Sequence, residues 1–137
     1  MKTILATSLA AALLLLAGCA TPPAAAPPPA VPARIGPAEA GTFQALDPAS
    51  AAAVRCPASE AHVRADGRLE LLANLENTGA KPAALQVQAV FAAPDGSGAA
   101  GSAWRPVALA PHATETVRFD APDPAGRLWL LRARTGP

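Results

Sequence analysis

The residue types that most often carry chemistry are sparse in this sequence. Residues 42–137 contain the histidines His62 and His112 and the single cysteine Cys56. Metal sites in proteins use three or four ligands at short spacings such as His-x3-His or Cys-x2-Cys, and these residues lack such spacings. The pattern predicts neither a metal site nor a cofactor. A periplasmic metal-carrier or ligand-binding role for these three residues is kept as the alternative hypothesis.

Motifs for phosphate binding and nucleophilic catalysis are not supported either. Residues 96–101 read GSGAAG and match G-x-G-x-x-G, but the next residues are Ser-Ala-Trp-Arg-Pro. That continuation cannot form the helix N-terminus on which a pyrophosphate would rest. A nucleophile elbow of the G-x-S-x-G type is absent from the sequence. We therefore predict that the protein is not an enzyme.

A second cysteine, Cys19, follows a segment typical of secretion signals. Lys2 precedes an apolar run from Ile4 to Leu16, which is shorter than the roughly 20 residues that span a bilayer. The run ends in Leu-Ala-Gly-Cys, which resembles the bacterial lipobox. The resemblance implies cleavage before Cys19, diacylglycerol on its sulfur and acylation of the new amino terminus. We predict a lipoprotein signal peptide at residues 1–18, with an ordinary signal and an incidental cysteine as the alternative.

Lipidation would decide where the protein resides. Several acyl chains on one residue anchor a protein stably, because each buried CH2 contributes about 0.8 kcal/mol. In the lipoproteins that this signal resembles, an Asp after the cysteine favours retention in the inner membrane, whereas Ala20 stands here. The resemblance implies an outer-membrane anchor that faces the periplasm.

The segment after the cysteine is dominated by alanine and proline. Proline runs such as 27–29 favour the extended polyproline II conformation, which has no internal hydrogen bonds. The segment also offers few large apolar side chains to offset the entropy of ordering. We predict that residues 19–41 form a lipidated cysteine followed by a disordered linker.

Charge excludes two classes of partner. The chain has 11 basic and 10 acidic residues, and removal of residues 1–18 takes away Lys2 and leaves equal numbers. A mature chain without net charge is not expected to have the positively charged surface that binds nucleic acid or the basic patch that binds anionic lipid. Lipidation of Cys19 would leave Cys56 alone, so we expect no internal disulfide.

Residues 42–137 have the pattern of an all-β domain. Beyond Arg68, apolar runs separated by prolines recur at the 8–12-residue spacing of sandwich strands. Residues 85–91 alternate between apolar residues and glutamines, which marks a strand covered on one face. No later connection suits a crossover helix, so antiparallel pairing is expected. We predict a small immunoglobulin-like antiparallel β-sandwich with its strand core at about 61–135; one twisted sheet with helical cover is the alternative.

The last predicted strand is apolar on both faces. We expect Leu128 and Leu130 to face the core and Trp129 to lie on the opposite face, which then needs cover from residues 42–54, a second copy of the domain or another protein. Cover by the protein's own segment is preferred. Trp104 and Trp129 are the largest apolar side chains of the domain, and such residues dominate interfaces. Both are candidates for an interaction surface.

Several short motifs resemble the YcfL-type lipoproteins of Gram-negative bacteria between Leu69 and Arg134. These are a strand ending near an Asn-Thr-Gly turn, an apolar strand entering an Asp-Gly turn, and later Trp-x-Pro and Ala-Pro motifs before a strand ending in Arg. The matching residues are Asn77, Asp95, Gly96, Trp104, Ala121, Pro122 and Arg132. The resemblance implies a small lipid-anchored periplasmic protein with an immunoglobulin-like fold. The sequence departs from that family in having no tyrosine.

Anchor, linker and sandwich together predict a protein–protein interaction module of the cell envelope. Its expected partners are the membrane, through the lipid on Cys19, and an envelope protein. A homodimer is also compatible with this reading.

Overall fold

The computed structural model describes residue 27 and residues 29–136. The predicted signal peptide, Cys19 and the remainder of the linker before residue 29 lie outside the described residues. In the described part of the chain, no helix is long and apolar enough to cross a membrane.

Eight strands and one short helix follow one another along the described chain. The strands are β1 (Thr42–Ala45), β2 (Val54–Val63), β3 (Leu69–Asn77), β4 (Ala83–Ala92), β5 (Ala100–Gly101), β6 (Arg105–Leu109), β7 (Thr114–Asp120) and β8 (Leu128–Thr135), and helix α1 (Pro48–Ala53) lies between β1 and β2.

The strands form two packed sheets. The five-stranded sheet has the order β1-β8-β4-β5, and β6 pairs with β4 beside β5; the three-stranded sheet has the order β2-β3-β7. All pairs except one are antiparallel. The prediction of an all-β sandwich is confirmed.

The exception is β1, which runs parallel to β8. These are the first and last strands of the sandwich, so the rest of the domain connects them and no dedicated crossover helix is needed. The β structure also begins before the predicted strand core at residue 61, because all of β1 and most of β2 precede that residue.

Alternating residues fill the space between the sheets. Because successive side chains of a strand point to opposite faces, every second residue of a covered strand enters the core. This confirms the covered face predicted for residues 85–91, and β7 follows the same alternation; the buried residues of the two strands are Leu85, Val87, Ala89, Phe91, Val117 and Phe119.

Strand β8 is covered on both faces, but its predicted orientation is wrong. Leu131, Ala133 and the half-buried Trp129 face the core between the sheets. Leu128 and Leu130 lie on the outer face of the five-stranded sheet. Residues 128–131 are apolar on both faces, and the prediction rested on them. The difference lies at the end of the strand, where the outer face continues with Arg132 and Arg134 and the inner face with Ala133.

The outer face is covered by the chain itself, through the C-terminal part of the predicted linker. Ile35 is only 2 % exposed and packs against an apolar cluster of β4 and β8, namely Val90, Ala92 and Leu130. The sequence predicts a disordered linker up to residue 41. For residues 29–41 this prediction is wrong, because they pack against the sheet. Cover by the protein's own segment is found, but it comes from these residues rather than from 42–54.

Backbone hydrogen bonds fix this segment, which we call the strap (residues 29–41). The amide of Ile35 donates to the carbonyl of Gly96 at 2.9 Å, and the amide of Gly41 donates to the carbonyl of Trp129 at 2.7 Å. Arg34 also donates from its guanidinium to the carbonyl of Asp95 at 3.0 Å. The strap is therefore held at the β4–β5 turn and at the start of β8.

Gly96 permits the close approach of the strap. Its φ is +81°, a conformation that favours glycine. A Cβ atom at this position would lie 2.2 Å from the carbonyl oxygen of Ile35. Gly98 has a φ of +61°, but a Cβ there would meet nothing within 4 Å.

We expect Gly96→Ala to release the strap and Gly98→Ala to leave it docked. Both substitutions carry the backbone strain of about 1–2 kcal/mol at positive φ, but only the first creates a clash with Ile35. Limited trypsin digestion after Arg34 measures the open population of the strap. Cleavage is expected to be at least about tenfold faster in Gly96→Ala than in Gly98→Ala, since 1.4 kcal/mol corresponds to a factor of ten. Equal rates would contradict the docked strap.

Asp47 joins helix α1 to the end of β8. Its carboxylate caps the helix by accepting from the Ser50 amide at 2.9 Å. It also accepts from the Thr135 amide and the Thr135 hydroxyl, each at 2.7 Å. Desolvation opposes ionisation of Asp47, but the hydrogen bonds from Thr135 and Ser50 outweigh it and lower its pKa to about 2.

The stabilisation from Asp47 is expected to depend on pH. Because the pKa of Asp47 is lower in the folded protein, its contribution is complete above the unfolded pKa of about 4 and is lost as the pH falls towards 2. Asp47→Ala should lower the free energy of unfolding by about 1–2 kcal/mol near neutral pH. Urea denaturation from pH 7 to pH 2 measures the gap between the two proteins. A gap that stays constant below pH 4 would contradict the assigned hydrogen bonds.

Candidate functional site

The two tryptophans that were candidates for an interaction surface occupy different environments. Trp129 is half-buried against the core between the sheets. Trp104 is half-buried in the connection between β5 and β6, outside that core. Trp104 is therefore the better candidate for contact with another molecule.

Two arginines of β8 lie over the ring of Trp104. The guanidinium carbon of Arg134 is 4.5 Å from the ring centroid, and that of Arg132 is 5.7 Å from it. Both distances are within the range of cation–π attraction. Arg132 and Arg134 share the outer face of the sheet because they are two positions apart on one strand.

Strand β4 positions the connection that carries Trp104. The side-chain amide of Gln88 donates to the carbonyl of Ser102 at 2.9 Å. The hydroxyl of Ser102 in turn accepts from the amide of Ala89 at 3.2 Å. These bonds hold the chain two residues before Trp104 against the sheet, so its ring lies beside β8.

Arg132 links this site to the start of the strap. It is 3 % exposed and donates to the carbonyl of Ala30 at 3.2 Å, to that of Pro29 at 3.4 Å and to the side-chain oxygen of Gln88 at 3.3 Å. Burial, with the neighbouring Arg134 charge, lowers the pKa of Arg132 from its ordinary value. An arginine nevertheless keeps its proton in proteins, so the site carries a buried positive charge.

The positive charges of this site have no acidic partner among residues 29–136. The ion pairs of the described chain involve neither Arg132 nor Arg134. The Nε atom of Arg134 is buried and has no hydrogen-bond partner in the described structure. We call Trp104, Arg132 and Arg134 the cationic site. Arg132 is buried, so the half-exposed Arg134 is the charge of this site that an acidic group could approach.

The acidic residues that do form ion pairs lie on the outer face of the three-stranded sheet. Glu70 is 7 % exposed and accepts from Arg118 at 2.8 Å, with Arg64 at 3.8 Å and His62 at 3.5 Å. Asp120 pairs with Arg64 at 3.2 Å. The two faces of the sandwich therefore differ, one with balanced charges and one with a positive excess at the cationic site.

The residues of the alternative metal hypothesis are not brought together. Cys56 and His62 both lie on β2, about 20 Å apart along an extended strand. His112 lies in the β6–β7 turn with a φ of +57°. Within the described chain, no group of three His, Cys, Asp or Glu residues is close enough to hold a metal ion. Burial raises the pKa of the Cys56 thiol, which makes it a poorer thiolate.

An open apolar cavity of about 490 Å³ lies between helix α1 and the β3–β4 turn. Its lining is mainly alanine, with Lys81 and Pro82 among the other residues. None of His62, His112 and Cys56 lines it. The cavity therefore gives no support to a ligand site built from these three residues.

The other residues that carry the YcfL resemblance have structural contacts. Asn77 is fully buried, and its side-chain amide donates to three carbonyls, those of Lys81, Leu109 and Ala110. Asp95 caps its turn by accepting from Ser97. Ala121 is fully buried and exposed Pro122 follows it.

Arg134 and Gln88 were not recognised from the sequence as site residues. A signal for them was present, because the outward positions of β8 read Leu128, Leu130, Arg132, Arg134 and so place two charges at the end of an apolar face. The same two charges also indicate that this face of β8 points away from the core.

Comparisons with known proteins concern the fold. No family model matches the sequence, and no curated protein matches it. The crystal structure of Campylobacter jejuni cj0090 is similar with a TM-score of 0.56 and 12 % identity, over 69 % of this chain and 97 % of that one. A DUF1425 family member from Shewanella sp. pv-4 is similar with a TM-score of 0.52 and 18 % identity, over 61 % of this chain and 79 % of that one. This chain shares its β-sandwich fold with these two bacterial proteins.

Proposed function

We propose that this chain is a lipid-anchored protein of the outer membrane that faces the periplasm and serves as a protein-binding module, with no catalytic step of its own. The order of signal features up to Cys19 and the motif resemblance to YcfL-type lipoproteins support the anchor and the location. The fold likeness to cj0090 and to the DUF1425 member is compatible with a small bacterial domain of this kind.

The observation that carries the binding role is the cationic site. Tryptophan and arginine are the residue types that contribute most at protein interfaces. Here a half-buried Trp104 lies against two arginines that have no acidic partner in the described chain. A partner that places an acidic side chain beside the half-exposed Arg134 would neutralise its charge. We therefore assign the partner an acidic contact segment.

The strap determines how far this site can lie from the membrane. Arg132 holds the chain at Pro29 and Ala30, so only the residues between Cys19 and Pro29 remain as a stalk. At about 3.1 Å per residue in an extended polyproline conformation, this stalk reaches on the order of 30 Å. The partner is accordingly expected close to the membrane surface.

The anchor is tested by Cys19→Ser. Loss of the lipid is expected to move the protein out of the outer-membrane fraction, because the thiol that would carry diacylglycerol is gone. Cys56→Ser is the matched control and should remain in that fraction. Membrane fractionation followed by immunoblotting measures the distribution. An unlipidated Cys19→Ser protein that stays with the outer membrane to the same extent as wild type would contradict the anchor.

The binding role is tested by charge reversal at the cationic site. Arg134→Glu should reduce the yield of a crosslinked envelope partner about 30-fold, as expected when a contact worth about 2 kcal/mol is lost. Lys81→Glu makes the same change of charge at an exposed residue away from the site and should leave the yield unchanged. The measurement is quantitative mass spectrometry after crosslinking in intact cells. Equal partner yields from the two variants would overturn the assignment of the site.

A further inference from the structure

The second half of β2 is an open edge of the three-stranded sheet. Residues 57–63 are all exposed, and Val63 is 53 % exposed, the highest value among the large apolar residues of the described chain. The side chains of Ser59, Ala61 and Val63 share the face of their β3 partners Ala73, Leu71 and Leu69, which are buried. On the inward face of the three-stranded sheet, the side chains of Ser59, Ala61 and Val63 are therefore not covered by the five-stranded sheet.

The backbone of this edge is directed outward at alternate residues. The amide of Arg64 donates to the carbonyl of Arg68, so Arg64 bonds towards β3. Antiparallel alternation then directs His62, Glu60 and Ala58 towards β3 and the residues between them away from it. The N–H and C=O groups of Ser59, Ala61 and Val63 consequently point away from the sheet, where the described chain offers them no partner.

The other edge of the same sheet is protected. On β7, the carbonyl of Arg118 points outward and accepts from the guanidinium of Arg105 at 2.8 Å. That guanidinium lies 4.8 Å from the ring of Phe119. A charged side chain across an edge is a known means of preventing strand addition, and β2 lacks this protection between Ala58 and Val63.

We propose that two copies of this chain pair through β2, antiparallel about a two-fold axis at Ala61. In this register Ala61 bonds with its own counterpart, and Ser59 bonds with Val63 of the second copy in both directions. Every outward N–H and C=O group of the three residues is then paired. The two three-stranded sheets become one continuous sheet, and Val63 is covered by the second copy. The proposal goes beyond the proposed function and does not require the anchor.

Charge favours this register over its neighbours. Glu60 comes to lie opposite His62 of the second copy, in the pair type whose side chains are closest. Its diagonal neighbours are Arg64, which attracts it, and the second Glu60, which lies farther away than in a directly opposed pair. Glu60 forms no ion pair within the described chain. If the two-fold axis lay at residue 60 instead of Ala61, Glu60 would face Glu60 of the second copy, which is repulsive. If the axis lay at residue 62, His62 would face His62 of the second copy and Ser59 would be left unpaired.

The same pattern argues for a second copy over an unrelated strand. An isologous contact must be self-complementary about its axis. Strand β2 meets this requirement because small Ala61 lies on the axis, Glu60 faces His62 of the second copy, and the outward backbone groups of residues 59, 61 and 63 pair with one another. The irregularity between Arg55 and Ala58 and the proline at position 57 end the regular ladder. The pairing segment is thereby confined to residues 58–63.

Cysteine crosslinking tests the register in the full chain. In a Cys56→Ser background, Ala61→Cys should give a disulfide-linked dimer, because the Cα atoms of a hydrogen-bonded pair lie about 5.5 Å apart, within the disulfide range. Ser59→Cys is the matched control on the same edge and face. Its counterpart in the second copy would be about 13 Å away, too far for a disulfide. Detergent extracts oxidised with copper phenanthroline and run on non-reducing gels are expected to show at least about tenfold more dimer for Ala61→Cys.

Proline substitution provides the second measurement. Because the N–H of Ala61 points outward, Ala61→Pro removes no bond to β3 and should leave the fold intact while blocking the pairing. Thr116→Pro makes the same change at an outward residue of β7 and should leave the dimer unchanged. Analytical ultracentrifugation of the full chain purified in detergent, with circular dichroism as the check on folding, measures the dimer in both variants. The proposal is overturned if Ala61→Cys crosslinks no more than Ser59→Cys. It is also overturned if Thr116→Pro loses the dimer while Ala61→Pro keeps it, or if the Ala61→Cys adduct contains a different protein.

Discussion

The five-stranded sheet is apolar on both faces, and the need to cover its outer face determines much of the remaining structure. Its inner face packs against the three-stranded sheet, but Val90, Ala92 and Leu130 on the outer face would be left in water. At about 25 cal/mol per Å² of buried apolar surface, an uncovered patch of this kind is costly. The strap covers it with a single large side chain, Ile35, and a set of backbone hydrogen bonds.

The cationic site follows from the same packing. The strap ends over Arg132, whose guanidinium is removed from water and receives two backbone carbonyls and the Gln88 oxygen in exchange. A buried charge without an opposite charge is unfavourable for stability. Replacing Arg132 by an apolar residue would be the simpler way to close the sheet. The charge of Arg132, beside Trp104 and Arg134, is the feature on which the proposed binding role depends.

Much of the sandwich could be predicted from the sequence because its signals are local. Alternation in residues 85–91 and 115–119 identifies buried positions directly, and the turns at Asn77 and Gly96 follow from residue type. The predicted orientation of β8 was wrong because it rested on residues 128–131, which are apolar on both faces, and not on Arg132 and Arg134, which mark the outer face. The strap was missed because its alanines and prolines have the composition of a linker. Its docking depends on one isoleucine meeting a patch that only the folded sheet creates, and on Gly96, whose lack of a side chain matters only once Ile35 is beside it.

Amide hydrogen exchange of the strap tests most directly the claim that residues 29–41 belong to the folded domain. The amides of Ile35 and Gly41 donate to Gly96 and Trp129, so they can exchange only when the strap opens. We predict that both amides exchange at least about 100-fold more slowly than in an unstructured peptide of the same sequence. A synthetic peptide of residues 29–41 measured under the same conditions provides the reference for unprotected exchange. Exchange of Ile35 and Gly41 at the rate of that reference would contradict the account.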